Sequence, residues 1–396
     1  MSHPTKSNIP LILALWLAGL GAAAQFGKIA VAMPALRETY AVSEVALGFL
    51  MSSLGMVGLL FGVVGGVVVD RLGLRKMLLL GLIAGGCLSL VEGFMPAYPV
   101  MIALRFIEGF AHLVIVIAAP VLVASSASDR LRPAAMALWS SFFGVAYMAI
   151  ALVAPPLIDG FGVGGLIRAH GLYLFVIAGI LVLMLPKGPR TRPVAKAMSL
   201  SDWVGVHRRI YSSPYLSASG LGFVWYAMMY VALLTYLPDF VSAAQRSWMS
   251  AVMPLSSIAV SLTFGIFLLQ RVSSIRVVKL GFAFSGLTAL GLLVTVGNEG
   301  QFMIAAIVMM ALAGIIASGS FASLAELNSD PQDRAHATGA LAQMGNVGTT
   351  TGAPILAALI GGFGIWGLVC FVVLLSLLGI CIHTVLGARR RELPIT

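Results

Sequence analysis

The stretch Gly66-Val67-Val68-Val69-Asp70-Arg71-Leu72-Gly73-Leu74-Arg75-Lys76 stands between two long apolar runs, at 45–69 and 77–95. Gly73 permits a tight turn because it carries no Cβ. Asp70, at a helix end, can meet helix N-termini and basic side chains, while Arg75 and Lys76 sit where the next apolar run begins. Each run is about as long as the roughly 20 apolar residues a helix needs to cross a bilayer. The stretch reads as the basic connection of a transmembrane helical hairpin.

The rest of the chain extends this reading. Further apolar runs fall at 10–32, 98–124, 133–157 and 168–186, then at 214–238, 247–269, 277–297, 301–323, 337–361 and 364–386. With 60% hydrophobic and 10% charged residues, against about 25% charged in globular chains, a soluble fold could not bury this much apolar surface. The longest polar stretch divides the runs into two sets of six. The expected organisation is a bundle over 1–186, a cytoplasmic linker loop over 187–213, and a second bundle with a short basic tail over 214–396. The fold class is all-α integral membrane, with twelve transmembrane helices in two pseudo-symmetric six-helix bundles.

A net charge of +10 would suit a nucleic-acid partner, but the positions of the cations give a better reason. Nineteen of the 24 Lys and Arg residues fall in alternate connections and tails: Lys6, Arg71, Arg75, Lys76, Arg130, Arg132, the six of the linker, Arg271, Arg276, Lys279, Arg334 and Arg389 to Arg391. Such a bias places both termini in the cytoplasm. The run Leu11 to Ala24 followed by Gln25 imitates a secretory signal; removing it would leave an odd number of spans, so it is read as the first span. Cys87, Cys370 and Cys381 are isolated in apolar stretches and suggest neither a disulfide framework nor a metal site.

The halves resemble each other. A shift of 202 lays Arg132 on Arg334 and Ile158-Asp159-Gly160-Phe161-Gly162 on Ile360-Gly361-Gly362-Phe363-Gly364; a shift of 200 lays Asp70-Arg71 on Gln270-Arg271 and Gly81 on Gly281. A six-helix unit duplicated in parallel is an arrangement that transporters use to place a site between two halves.

The opening stretch closely resembles the G-x-x-x-D-R-x-G-R-R/K loop signature of the major facilitator superfamily, and the organisation resembles that family over the whole chain. The resemblance implies a secondary active transporter in the inner membrane, a monomer without cofactor or metal, working on a small-molecule substrate among membrane lipids, with no nucleic acid. It implies gating roles for Asp70, Arg71, Gly73 and Arg75. The second-half copy has Gln270 for Asp70 and Ser273 for Gly73, so any latch should be stronger in the first half. Arg105-Phe106-Ile107-Glu108-Gly109-Phe110-Ala111 resembles the family's R-x-x-Q-G-x-G/A element, associated with proton coupling, with Glu108 where Gln is usual. The antiporter pattern around Gly144 and Ala151 to Pro156 is degraded.

An ionisable residue in mid-membrane costs about 2.5–3.5 kcal/mol on insertion scales and is a functional candidate by default. Lys28 follows Gln25 by one turn in the first span, with snorkelling to headgroups as the alternative. Arg105, Glu108 and His112 share a face about 60° wide, either lining a cavity or forming a structural cluster in which Glu108 neutralises Arg105. The expected substrate-binding set is Gln25, Lys28, Arg105, His112 and Tyr147 in the first half, with Trp225, Met229, Gln343 and Asn346 in the second; Glu108 is the expected proton-coupling group. Ser257, Ser261 and Thr350 serve either a pocket or helix packing. Gly58, Gly62 and Gly66 form an i, i+4, i+8 stripe expected to be a close-contact seam.

Two cations against one acid favour a small organic anion, taken up with protons. The alternatives are efflux of amphipathic drugs or metabolites, served by the aromatic span around Trp225, Tyr226 and Tyr230; copper import, invited by nineteen methionines; and a membrane-embedded enzyme or receptor, for which no metal or nucleophile constellation is present.

Overall fold

The computed structural model describes residues 7–128, 131, 135, 138, 139, 141–186 and 200–392, with side chains throughout except at 63–68, 70, 71, 200, 202, 203, 331, 332 and 335. Among the described residues there is no strand. The expected latch side chains of Asp70 and Arg71, the third glycine of the stripe, Gly66, and the linker's first part, 187–199, lie outside this set.

The chain divides into two compact units, Met1–Ala195 and Lys196–Thr396. In the first, α1 (Ile9–Tyr40) opens on Asn8, whose side chain accepts the Leu11 N–H at 3.2 Å, an N-cap that satisfies one otherwise unpaired donor. The helix runs through Pro34, so Lys28 lies well inside it rather than close to its end. Next come α2 (Glu44–Leu72), capped by Ser43, α3 (Leu74–Glu92) and α4 (Tyr98–Ser126). Only Gly73 separates α2 from α3, at φ +91°, a conformation that side chains with a Cβ resist. The fifth helical stretch, α5 (Phe142–Met184), is broken by Gly162 at φ +67° into two arms.

In the second unit, α6 (Leu200–Ser212) precedes α7 (Ala218–Tyr236), which ends in a 3₁₀ turn, Leu237–Phe240. Helix α8 (Ala243–Val260) passes through a π-helical turn, Ser261–Gly265, into the short α9 (Ile266–Leu269). Then follow α10 (Ser274–Thr295), α11 (Glu299–Leu327), α12 (Pro331–Phe363) and α13 (Ile365–Glu392). Gly364, at φ +56°, separates the last two. Gly162 and Gly364 are the pair that the 202-residue offset superposes, so the repeat extends to backbone geometry.

Packing repeats as well. Helix α1 packs on α5 as α7 does on α12; α2 on α4 as α8 on α11; α3 on α4 as α10 on α11; and α3 on α5 as α10 on α13. Ten helical segments among the described residues are long and apolar enough to cross a membrane. One of them is the 43-residue α5, whose two arms correspond to separate spans, and α12 is long but more polar. Leu183, Val294 and Phe94 are more than three-quarters exposed, as suits a surface facing lipid rather than water.

In lipid, helices associate by close packing more than by hydrophobic drive. Gly109 shows how this positions α4. A Cβ there would collide with the Leu54 carbonyl of α2 and come within 2.8 Å of Val57. Gly62, by contrast, has open space around it, which corrects the expected seam at that position. Gly109→Val is therefore expected to destabilise the detergent-purified protein by about 1–3 kcal/mol through overpacking. Gly62→Ala should stay within about 0.5 kcal/mol of wild type. Comparing the two by thermal unfolding checks the contact; equal effects would refute it.

The linker also differs from expectation. Its second part is the helix α6, held against α12 by Ile210, packed with Leu216 and Ala340. Arg209 pairs with Asp333 at 2.9 Å. The Tyr211 hydroxyl donates to Gln343 Oε1 at 2.7 Å, and burial pushes its phenol up to about 12, so it remains a donor.

Candidate functional site

Helices α1, α3, α4 and α5 bring one compact polar cluster into the apolar interior of the first unit. Lys28 comes from the middle of α1, Ser89 and Glu92 from the last turn of α3, Arg105, Glu108 and His112 from one face of α4, and His170 from the second arm of α5. Lys28, Ser89, Glu92, Arg105 and Glu108 have no solvent exposure, and the two histidines are 7% exposed. Snorkelling is thereby ruled out for Lys28.

The Lys28 ammonium has three donors and places all three. Nζ lies 2.7 Å from Glu92 Oε2, 2.8 Å from Glu108 Oε1 and 2.7 Å from Ser89 Oγ. Arg105 donates through Nη1 to Glu108 Oε2, through Nε to the Leu50 carbonyl of α2 at 3.1 Å, and stands 4.0 Å from Glu92. The close α2–α4 approach at Gly109, one turn on, makes the Leu50 contact reachable. Two cations thus face two carboxylates. The sequence-level imbalance disappears once Glu92 is included. Such balance is required, because an unpaired ion in a low-dielectric interior costs several kcal/mol.

Ser89 Oγ also lies 2.9 Å from His170 Nδ1, and His170 Nε2 lies 2.9 Å from the Gly21 carbonyl. A carbonyl only accepts, so Nε2 carries the hydrogen in neutral His170, and Nδ1 and Glu108 Oε1, 3.0 Å from Ser89 Oγ, are alternative acceptors for the one Ser89 hydroxyl proton. By the same logic His112 Nδ1 donates, since both its neighbours, Ala22 O and Gln25 Oε1 at 3.1 Å, are acceptors. Phe26 meets the His112 ring edge-on at 5.2 Å.

Three buried polar atoms of this region have no hydrogen-bond partner among the described residues: Arg105 Nη2, Gln25 Nε2 and Glu92 Oε1. Two are donors, and buried donors of this kind are costly to leave unused. They are the groups an incoming acceptor would meet. Tyr147 is buried with its ring stacked on Phe143 at 5.1 Å, and lies 3.7 Å from the point a Cβ would occupy at Gly27.

The expected second-half residues lie in the other unit. Tyr226 and Tyr230 stack at 5.2 Å, beside half-buried Trp225 and fully buried Met229. Gln343 already accepts from Tyr211, and Asn346 Nδ2 donates to the Ala342 carbonyl of its own helix at 3.1 Å. Of the loop residues, Gly73 makes the turn. Arg75 donates from Nε to the Leu185 carbonyl and from Nη2 to that of Val182, at 3.2 and 3.1 Å, and so caps the end of α5, where a cation suits the helix dipole.

Sequence reasoning missed Glu92, Ser89 and His170. Glu92 was absorbed into the apolar run 77–95; its signal was the pair Ser89-x-x-Glu92, an acid and a hydroxyl on one helix face. His170 stood alone near the start of a run and carried no signal of its own.

A membrane-spanning chain of two repeated helical bundles, with ion pairs buried in one of them, has the construction of a transporter. The chain belongs to the Major Facilitator Superfamily, whose sequence profile matches residues 12–298. Over 179 residues it is 29% identical to the 4-hydroxybenzoate transporter PcaK of Pseudomonas aeruginosa and 26% identical to that of Pseudomonas putida. Both alignments cover 45% of this chain and 39% of the relative, so the match spans about two-fifths of those relatives' length. Among solved structures, a bacterial homologue of the human lysosomal transporter Spinster aligns with a TM-score of 0.76 at 13% identity, covering 98% of each chain. A mutant of the nucleoside transporter NupG aligns with a TM-score of 0.71 at 15% identity, over 96% of this chain and 99% of that one. These two share the fold.

Proposed function

We propose that the protein carries a small organic anion, of the aromatic carboxylate class, across the inner membrane by alternating access and together with a proton. The observation that carries this reading is the buried cluster of Lys28, Arg105, Glu92 and Glu108. Similarity to transporters of 4-hydroxybenzoate supports the choice of anion. Gln25 Nε2 and Arg105 Nη2 supply free donors for a carboxylate, and Lys28 can turn to it. Tyr147 offers an aromatic wall within the same unit. Because the resident charges balance, an added anion leaves one negative charge in excess, and a proton on a carboxylate of the cluster, expected from sequence at Glu108, removes it. The loop from Asp70 to Arg75 gates the cytoplasmic side, with both termini in the cytoplasm. Efflux of an amphipathic compound is the second reading, favoured by the Tyr226–Tyr230 stack.

The test is uptake into proteoliposomes over a panel of aromatic carboxylates and amphipathic drugs, with and without a pH gradient. One coupled proton predicts that accumulation of a monocarboxylate rises about tenfold per pH unit, acid on the side of entry. Uptake indifferent to the gradient would end the proton reading, and transport of the drugs alone would favour efflux.

A further inference from the structure

Within the cluster the two carboxylates are held very differently. Glu108 is fixed on both oxygens: Oε1 faces Lys28 and Ser89, and Oε2 receives Arg105. Glu92 is tied by Oε2 alone, to Lys28, and its Oε1 is fully buried with no hydrogen-bond partner among the described residues. It is also the last residue of α3, followed by Gly93 and by Met95 at φ +52°, so it sits where the regular helix ends.

We infer that Glu92, rather than Glu108, is the group that takes up the transported proton when the anion binds, with Glu108 acting as a fixed counter-charge between Lys28 and Arg105. This inference rests on the anion-transport reading above. The groups facing Glu92 are Lys28 and Tyr40 from α1, Arg105 and Glu108 from α4, and, through Ser89, His170 from α5; Arg168 of α5 holds the neighbouring Gly93 carbonyl. Among the described residues Lys28 is the one cation hydrogen-bonded to Glu92, with Arg105 standing off at 4.0 Å. When an anion draws Lys28 away, Glu92 loses its hydrogen-bonded cation while Glu108 keeps Arg105. A proton from the water on the entry side then forms an O–H bond with a Glu92 oxygen, and the Lys28–Glu92 ion pair is replaced by a Lys28–anion pair. Release of the anion reverses both changes, so one proton moves with each monovalent anion and the site keeps its charge.

Infrared difference spectroscopy on the full-length protein, adding 4-hydroxybenzoate labelled with carbon-13 at its carboxyl group, reads this directly. A new protonated-carboxyl band is expected in wild type. It should shift in Glu92→Asp, which keeps a carboxyl group in an altered setting, and stay unchanged in Glu108→Asp. A band that shifts in Glu108→Asp but not in Glu92→Asp, or no band in a protein that exchanges the anion, overturns the assignment. If Glu92→Asp does not fold, Glu108→Asp alone decides, an unchanged band supporting Glu92 and a shifted one refuting it. In proteoliposomes Glu92→Gln should lose the pH-gradient response, about tenfold per pH unit, yet keep exchange of labelled for unlabelled anion at equal pH, which a merely structural residue would not do. Wild type that exchanges no aromatic carboxylate would instead refute the anion reading, and the Glu92 assignment with it.

Discussion

Lys28→Ala is expected to abolish uptake and to destabilise the protein in the same step. Among the described residues the ammonium is the only group hydrogen-bonded to both carboxylates, at 2.7 Å from Glu92 and 2.8 Å from Glu108, and it has no solvent exposure. Removing one partner from a buried ion pair costs about 3–5 kcal/mol, because the charge left behind is uncompensated. Here Glu108 retains Arg105, so most of the cost falls on Glu92. The double variant Lys28→Ala with Glu92→Gln should therefore recover much of the thermal stability while leaving uptake absent, since no ammonium remains to exchange a carboxylate for the substrate. Thermal unfolding in detergent and proteoliposome uptake separate the two effects. A Lys28→Ala protein that carries its anion with wild-type affinity would remove Lys28 from the site.

Arg105→Lys keeps the charge and is still expected to lower transport by about tenfold to a hundredfold, the equivalent of about 1.5–3 kcal/mol for a lost charge-assisted hydrogen bond. Arg105 uses the separation of its nitrogens: Nε reaches the Leu50 carbonyl on α2 while Nη1 holds Glu108 on its own helix. A lysine ends in a single nitrogen and cannot span both. It also lacks the second terminal nitrogen, Nη2, which has no hydrogen-bond partner among the described residues and is proposed to meet the substrate. Uptake kinetics beside a thermal melt check this: the loss should appear mainly in transport, with the fold retained. Free interchange of Lys and Arg would mean that the position supplies charge alone.

Much of the fold was legible because membrane constraints are strong and periodic. Apolar runs of spanning length marked the helices, and Gly73, Gly162 and Gly364 fell where backbone turns required them. The offset of 202 residues pairs the latter two, and both adopt a positive φ. Other features were hidden for local reasons. The first apolar run ends at 32, but α1 continues through Pro34 to Tyr40, because Pro removes one helical hydrogen bond without preventing a tightly packed helix from going on. Helix α6 was concealed in a polar linker, since its stability comes from packing against Ala340 and from Tyr211 and Arg209 rather than from its own apolar content.

The site was readable as a list of charges and not as a circuit. Lys28, Arg105, Glu108 and His112 stand out because mid-membrane charge is rare. Which carboxylate meets which cation depends on how far α3 reaches alongside α1 and α4, and no spacing along one helix encodes that. Overlooking Glu92 gave the site a positive excess that it does not have. Including it changes the proposed basis of anion binding from attraction by spare positive charge to exchange of one carboxylate for another, the step to which the proposed proton uptake is tied.

That exchange is tested most directly by calorimetric titration of the purified wild-type protein with 4-hydroxybenzoate in buffers of different ionisation enthalpy. The dependence of the measured heat on the buffer gives the number of protons bound with the ligand. Uptake of about one proton per anion near neutral pH is the expected result, from one group passing from charged to neutral. Binding with no proton uptake would contradict a balanced site that admits the anion by neutralising a carboxylate.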